Sequence, residues 1–179
     1  MADAPQIQFR PLARSDLELM RRWLNNDFVA RWWPGWPSLE QVRAKYAPRI
    51  DGRDPTKCFV IVLDGTSRGF IQSYRVHHDP NLRALIDAPE RAAGIDLFLG
   101  EREDAYRGLG PRIIRRFLAE FVFAQTDTDL CLIDPAQNNA AAIRAYQKAG
   151  FQHLCTIRVP AELQPSYVMI LRREEHFDE

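Results

Sequence analysis

The sequence predicts a mixed α/β fold built as a single domain over residues 1–179. Three observations carry that expectation: strand-like runs dominate the first half, strand–helix units occupy the centre, and a hairpin closes the chain. A chain of 179 residues is long enough for one substantial core, and no repeat, low-complexity tract or linker divides it. Hydrophobic residues at 46% and charged residues at 27% match an ordinary globular protein. Lys+Arg equals Asp+Glu at 24 each, so no global field points to nucleic acid or an anionic membrane.

The start, MADAPQIQF, lacks the basic segment and apolar run of a signal peptide. No apolar run approaches the roughly 20 residues of a bilayer span. The expected location is therefore the cytoplasm. Cys58, Cys131 and Cys155 are odd in number and widely spaced, which suits reduced core thiols better than a zinc set or a disulfide framework.

Taken in order, Ile7 to Leu12 reads as a first strand. Ser15-Asp-Leu-Glu18 forms a capping box opening a helix through Leu24, and Asn25-Asn26-Asp27 stops it. A Pro/Gly-broken loop from Phe28 to Pro37 then carries Trp32, Trp33 and Trp36. Such rings either plug the core or form a wall for a flat, sugar-like ligand. Ser38-Leu-Glu-Gln41 is a second capping box, with a helix expected to about Tyr46. Lys57 to Leu63, the turn Asp64-Gly65, and Arg68 to Val76 outline a hairpin. Residues 77–91 hold two prolines and little periodicity, so a surface loop is expected. His77-His78 is a poor metal site: neighbours on a strand face opposite ways, and no third ligand stands at useful spacing.

Ala93 to Gly100 is an apolar strand enclosing one carboxylate, Asp96, which is costly there unless paired or working. Leu130 to Pro135 repeats the pattern, ending in Asp134. Between them runs EDAYRGLGPRIIRRFLAEFVF, from Glu103 to Phe123. Ile113, Ile114, Phe117, Leu118, Phe121 and Val122 recur at helical spacing, and Pro111 sits in the first turn, where its missing N–H costs nothing. Glycines before a helix start let a ligand approach the backbone, and the first-turn N–H groups with the helix dipole favour a phosphate. Arg107-Gly108-Leu109-Gly110 therefore reads as a pyrophosphate cradle, with Arg107 and Arg112 as added charge, or as a loop that merely turns on two glycines. Asn138 to Ala149 is a helix closed by Gly150. Phe151 to Val159 and Ser166 to Leu171 are closing strands, and the acidic stretch Glu174 to Glu179 reads as solvated.

The combination of Arg107-Gly-Leu-Gly110 after a strand, Asp134-Pro135, and Asn139-x-x-Ala142-Ile143-x-x-Tyr146-x-Lys148-x-Gly150-Phe151 resembles the GCN5-related N-acetyltransferase (GNAT) superfamily. Within it, Trp23-Leu24-Asn25, Trp32-Trp33, Gln72-Ser73-Tyr74, Gly94-Ile95-Asp96 and Tyr167-Val168-Met169 resemble the aminoglycoside 6′-N-acetyltransferases. The resemblance covers nearly the whole chain. It implies a mixed, mostly antiparallel sheet with splayed central strands flanked by helices. It also implies acetyl-CoA as co-substrate, a small-molecule aminoglycoside as acceptor, no metal, and a monomer or weak homodimer. The donor would lie along Leu97 and Leu99, the turn Arg107, Gly108, Leu109, Gly110, Pro111 and Arg112, and the helix residues Asn139, Ala142 and Tyr146. The acceptor would meet Trp32, Trp33, Tyr74, Asp96, Asp134 and Glu162. The superfamily usually places Gln or Arg three residues before its first cradle glycine; here that position is Ala105, so phosphate contacts fall to backbone N–H groups.

Direct attack of an amine on the thioester in a ternary complex is the simplest chemistry, since no cysteine pairs convincingly with a histidine. Asp96 has an ordinary pKa near 3.9 against about 10 for a primary ammonium, a gap of roughly six units. It is expected first to bind and orient the cation, with the proton leaving through water or to an Asp whose pKa burial raises; the alternative is a structural partner for an N–H or an arginine. Asp134 is either an acceptor contact or a turn former and helix cap. Tyr146 is expected to stabilise the leaving thiolate, or simply to pack. A phenol donating a proton outright to a thiolate is uphill by about 1.5 units, roughly 2 kcal/mol. Asn139 either holds the donor or caps its helix. Rival readings are an acyltransferase for a siderophore hydroxylysine or peptide amine, and a non-catalytic acetyl-CoA-binding protein.

Overall fold

The structure is a computed structural model describing residues 5–78, 86–104, 107–125, 127–158 and 164–177. Its seven strands form one mixed, mostly antiparallel sheet in the order β1-β2-β3-β4-β5-β7-β6: β1 Ile7–Pro11, β2 Lys57–Leu63, β3 Thr66–Arg75, β4 Ala93–Leu99, β5 Leu130–Ile133, β6 Gln152–Ile157 and β7 Ser166–Arg172. The chain divides into two compact units, Met1–Gln72 with Asp96–Ala105, and Ser73–Ile95 with Tyr106–Glu179. No helix among the described residues is long and apolar enough to cross a membrane. Nor do those residues contain a metal-binding cluster, and none of the three cysteines is in a disulfide.

In the first unit β1 pairs antiparallel with β2, Ile7 opposite Leu63 and Pro11 opposite Phe59. β1 stands at the sheet edge, the position where a proline costs no ladder bond. Helix α1, Leu17–Leu24, buries Leu17, Met20, Trp23 and Leu24 at three/four spacing. Its start differs from expectation. Ser15 does not cap it; a short 3₁₀ turn over Arg14–Asp16 precedes it, fixed by Asp16. The Asp16 carboxylate accepts both Arg10 Nη groups at 2.7 and 2.8 Å and the Ala13 N–H at 2.9 Å. The helix does end at Leu24, but Asn26 then caps a further turn, α2 Asp27–Ala30, accepting the Phe28 N–H at 3.1 Å inside the expected loop.

The Ser38–Gln41 box is present in both directions and opens α3, Leu39–Ile50. That helix runs past Tyr46 and through Pro48, and beyond its end the Pro48 carbonyl accepts the Arg53 and Asp54 N–H groups at 2.8 and 3.1 Å. Met20, Trp23, Val42, Tyr46, Val60, Phe70 and Phe98 form this unit's core.

In the second unit β4 and β5 are parallel, paired through Ala93–Cys131 and Gly94–Leu132, and that ladder ends well before β4 does at Leu99. β7 lies antiparallel to both β5 and β6, with a bulge between His153 and Cys155. Helix α4, Leu109–Phe117, buries Leu109, Pro111, Ile113, Ile114 and Phe117, then passes into a π-helical turn, Leu118–Val122. Phe121, expected on the buried face, is half-buried and stacks on Phe117 at 5.2 Å. Helix α5, Ala140–Lys148, has its last carbonyl held by Arg115 Nη1 at 2.5 Å. Glu174 and Glu175 of the tail read as solvated are exposed, and they lie on a short helix, α6 Arg173–Phe177. Glu175 accepts the Arg172 N–H at 3.1 Å, and the His176 ring lies 5.4 Å from Phe123.

Candidate active site

Asp96 occupies the middle of β4, half-buried, and its partner comes from β3: Gln72 Nε2 donates to Asp96 Oδ2 at 2.7 Å. Gln72 is itself buried. Its Oε1 accepts from Arg49 Nη1 at 2.8 Å, and Arg49 Nε pairs with Asp54 Oδ2 at 3.3 Å. Asp54 Oδ1 accepts the Thr56 N–H at 2.8 Å, just before β2 begins. The expense of a carboxylate inside an apolar strand is thus met by a relay of polar groups, each engaged on both sides.

The same region shifts its neighbours. Burial leads in pushing the Cys58 thiol up to about 11, so at neutral pH it is an inert SH, lying 3.9 Å from Gln72 Oε1. Burial also raises the Tyr46 phenol well above its ordinary value; its hydroxyl is fully enclosed and finds no hydrogen-bond partner among the described residues. The Lys45 ammonium is lowered, first by desolvation and then by the Arg49 charge, while Asp96 opposes the shift. Although the Lys45 side chain stays open to solvent, its Nζ stands 6.0 Å from the Trp33 ring centre and 5.6 Å from that of Tyr46.

The tryptophans separate by role. Trp33 is half-buried and packs edge-on against Phe98 at 5.0 Å and Phe70 at 6.1 Å, so part of it plugs the core. Trp32 is half-buried with the Arg31 guanidinium 5.1 Å over its ring, and Trp36 is 54% exposed. Leu97 and Leu99 alternate with core-facing Phe98 and are half-buried.

In the second unit, α4 starts from Gly108 in the left-handed conformation, φ 72°. A side chain is strained there, while no described residue comes within 4 Å of where a Cβ would stand. The next glycine does a different job. Gly110 lies inside the helix, and a Cβ on it would stand 3.3 Å from the Ala145 Cβ of α5. Because Pro111 carries no N–H, the first-turn donors come from Gly108, Leu109 and Gly110. Among the described residues no side chain caps this helix, and no acidic residue stands in its first turn; Arg112 does, half-buried, with Arg107 exposed just before. α5 also lacks an acidic first turn, but there Asn139 Oδ1 caps the helix, accepting the Ala142 N–H at 3.1 Å.

The helix-capping alternative left open for Asn139 is therefore seen. Asp134 stands half-buried beyond β5, next to Pro135, whose carbonyl accepts the Tyr167 N–H at 2.8 Å. Tyr146 is buried, its ring edge-on to Phe151 at 5.5 Å. Tyr74 is half-buried, and its ring fills the space a Cβ at Gly94 would need, 2.5 Å away, so Gly94 permits that close approach. Glu162 and Ala105 lie outside the described residues.

Sequence reasoning missed Arg49, Asp54 and Gln72 as one system with Asp96. Gln72 carried a signal: an amide inside the apolar run Gly69-Phe-Ile-Gln72 needs a partner as a carboxylate does. Arg49 and Asp54 carried none, being ordinary charges near a helix end.

Comparison with known proteins adds four findings. Residues 13–159 match the family described as Acetyltransferase (GNAT) domain. Aminoglycoside N(6')-acetyltransferase type 1 of Klebsiella pneumoniae is 28% identical over 181 residues, covering 94% of this chain and 84% of that protein. A kanamycin resistance protein of Rhizobium radiobacter is 33% identical over 81 residues, covering 45% of this chain and 72% of that one. The crystal structure of aminoglycoside acetyltransferase AAC(6')-Ib with coenzyme A and kanamycin superposes with a TM-score of 0.85 at 27% identity, covering 95% of this chain and 96% of that one.

Proposed function

The chain belongs to the GNAT acetyltransferase family, and from that premise we propose that it transfers the acetyl group of acetyl-CoA to the 6′-amine of an aminoglycoside. Relatives so named span most of the chain, and one solved relative holds both coenzyme A and kanamycin. The observation that carries the acceptor side is Asp96, a carboxylate fixed in the apolar strand β4 by a hydrogen bond from Gln72.

Acetyl-CoA supplies a thioester already activated toward an amine. The start of α4 fits its diphosphate: an open left-handed glycine, backbone donors at Gly108, Leu109 and Gly110, no acidic residue in the first turn, and the charges of Arg107 and Arg112. Pro111 sets the first turn without competing as a donor. Leu97 and Leu99 would hold the pantetheine arm through β4 backbone, with Asn139 and Ala142 at the start of α5. The Tyr146 hydroxyl would hydrogen-bond the departing sulfur, easing charge build-up without needing to surrender its proton.

On the acceptor side Asp96 grips and orients the ammonium. A carboxylate of ordinary pKa is too weak a base, by roughly six units, to deprotonate it outright, so the proton passes to water as the amine attacks. Trp32 and Trp33 offer ring faces to the sugar. Tyr74, Asp134 and Glu162 are the further acceptor contacts we assign. We read the protein as cytoplasmic, and as a monomer or weak homodimer with no nucleic-acid or membrane partner.

A thiol-release assay with acetyl-CoA tests this, run across kanamycin-type aminoglycosides, a peptide amine and a hydroxylysine. Turnover is expected on aminoglycosides bearing a 6′-amine and not on those bearing a 6′-hydroxyl alone. Turnover confined to the peptide amine or hydroxylysine overturns the substrate. CoA binding without thiol release on any acceptor overturns the activity.

A further inference from the structure

We propose that Gln72 is the positioning residue of the acceptor site: its amide, fixed one way round by Arg49, holds the Asp96 carboxylate in place for the incoming ammonium. This rests on the reading that Asp96 receives the acceptor amine.

A glutamine amide can be flipped by half a turn, and here chemistry leaves one choice. Arg49 has only donors, so the Gln72 atom 2.8 Å from its Nη1 is the carbonyl oxygen. The NH₂ then faces Asp96 Oδ2 at 2.7 Å, and an ionised carboxylate only accepts. Arg49 is fixed in turn: 17% of its side chain is exposed, Asp54 pairs with its Nε, and its guanidinium lies 5.5 Å over the Tyr46 ring. Asp54 is tied to the backbone by the Thr56 N–H. Asp96 is thus joined to a chain of partners that begins in the backbone before β2 and crosses α3 and β3. A carboxylate held this way presents one geometry to the substrate, and geometry of that kind is where a displacement of about 1 Å can cost ~100-fold in rate.

Asp96 lies within electrostatic reach of Lys45 and Tyr46 on α3. Among the described residues, Arg49 on α3, Asp54 before β2 and Cys58 on β2 also belong to the network. Gln72 is the neutral member between the Arg49 and Asp96 charges. A glutamate in its place keeps the Arg49 partner but puts a like charge on Asp96 and removes the donor.

The test compares wild type, Gln72→Glu, Gln72→Met and Asp96→Asn, measuring kcat and KM for an aminoglycoside and for acetyl-CoA across pH. Gln72→Glu is expected to move the acidic limb of kcat/KM up by about one pH unit or more, as like charge favours the protonated form. Gln72→Met, with similar volume and no donor, is expected to lower kcat/KM for the aminoglycoside by about tenfold or more. The KM for acetyl-CoA should stay at the wild-type value in both. If Gln72→Glu fails to fold, Gln72→Met decides. Wild-type kcat/KM in Gln72→Met, or a loss spread equally over both substrates with an unmoved acidic limb, overturns the positioning role. Wild-type turnover in Asp96→Asn overturns instead the reading on which the inference rests.

Discussion

Replacing Gly108 separates a phosphate cradle from a turn that only needs glycine. Gly108 sits at φ 72°, and a built Cβ would meet no described residue within 4 Å. Gly108→Ala therefore suffers backbone strain alone, about 1–2 kcal/mol for an L-residue in the left-handed region. For a chain of 179 residues, each kcal/mol lowers Tm by about 2–4 °C, so a fall of roughly 2–8 °C is expected. Gly108→Asn tolerates the same conformation better and should lose less. Both variants, however, put atoms where a diphosphate must approach the backbone. Each should weaken CoA binding by about tenfold or more, near 1.4 kcal/mol, when titrated by calorimetry well below Tm. CoA affinity in Gly108→Asn equal to wild type would refute the cradle and leave a plain turn. Gly110→Val is the poorer probe. Gly110 faces Ala145 across α4 and α5, so a branched side chain there pushes two helices apart, and lost binding would have two causes.

Three further outcomes follow from the same geometry. Asp96→Asn should cut turnover on a kanamycin-type acceptor by about tenfold or more with CoA binding nearly intact, and unchanged turnover removes Asp96 from the chemistry. Tyr146→Phe keeps the ring on Phe151 and should lower the chemical step in single-turnover measurements; a loss confined to acceptor affinity contradicts its role at the sulfur. For pH, Arg10's hydrogen bonds lead in holding the Asp16 carboxyl below its ordinary value, against the opposing effect of burial. A carboxyl depressed in the folded state contributes stability that is complete above its unfolded pKa near 3.9 and disappears as pH falls through the lower, folded value. Arg10's side chain is 41% exposed, so solvent screening trims the pair to about 1 kcal/mol. Calorimetry should show Asp16→Asn less stable than wild type at pH 7, with the gap closing at the acid end of that window; a constant gap rules the linkage out.

What the sequence revealed was local. The Ser38–Gln41 box, the apolar face of α4 and the cap at Asn139 are each written within a few residues, and the structure contains all three. The misreadings share a cause as well. Ser15 looked like a cap because Asp16's real partner, Arg10, comes from the preceding strand. The expected stop of α3 near Tyr46 gives way to a helix that runs through Pro48 to Ile50, and the Arg53 and Asp54 N–H groups that meet its last turn lie outside any helical pattern. At the tail, charge correctly marked Glu174 and Glu175 as exposed, but not the short helix they form or the partners of Glu175 and His176.

The candidate site was legible through one argument, and that argument was stopped one step early. A charge within an apolar strand is expensive, which singled out Asp96. The same expense attaches to the buried amide of Gln72, 24 positions earlier, and the two residues answer one another. Neither shows its partner in sequence, because β3 and β4 become neighbours only in the sheet. Once Gln72 is seen to spend its NH₂ on Asp96, its oxygen needs a donor, and Arg49 supplies it. Arg49 in turn needs an anion, and Asp54 is there. Buried polar groups in apolar runs are therefore better read as a set to be matched than one at a time: starting from a single costly carboxylate, the matching leads across β3 and α3 to a residue with no apparent role in the chemistry.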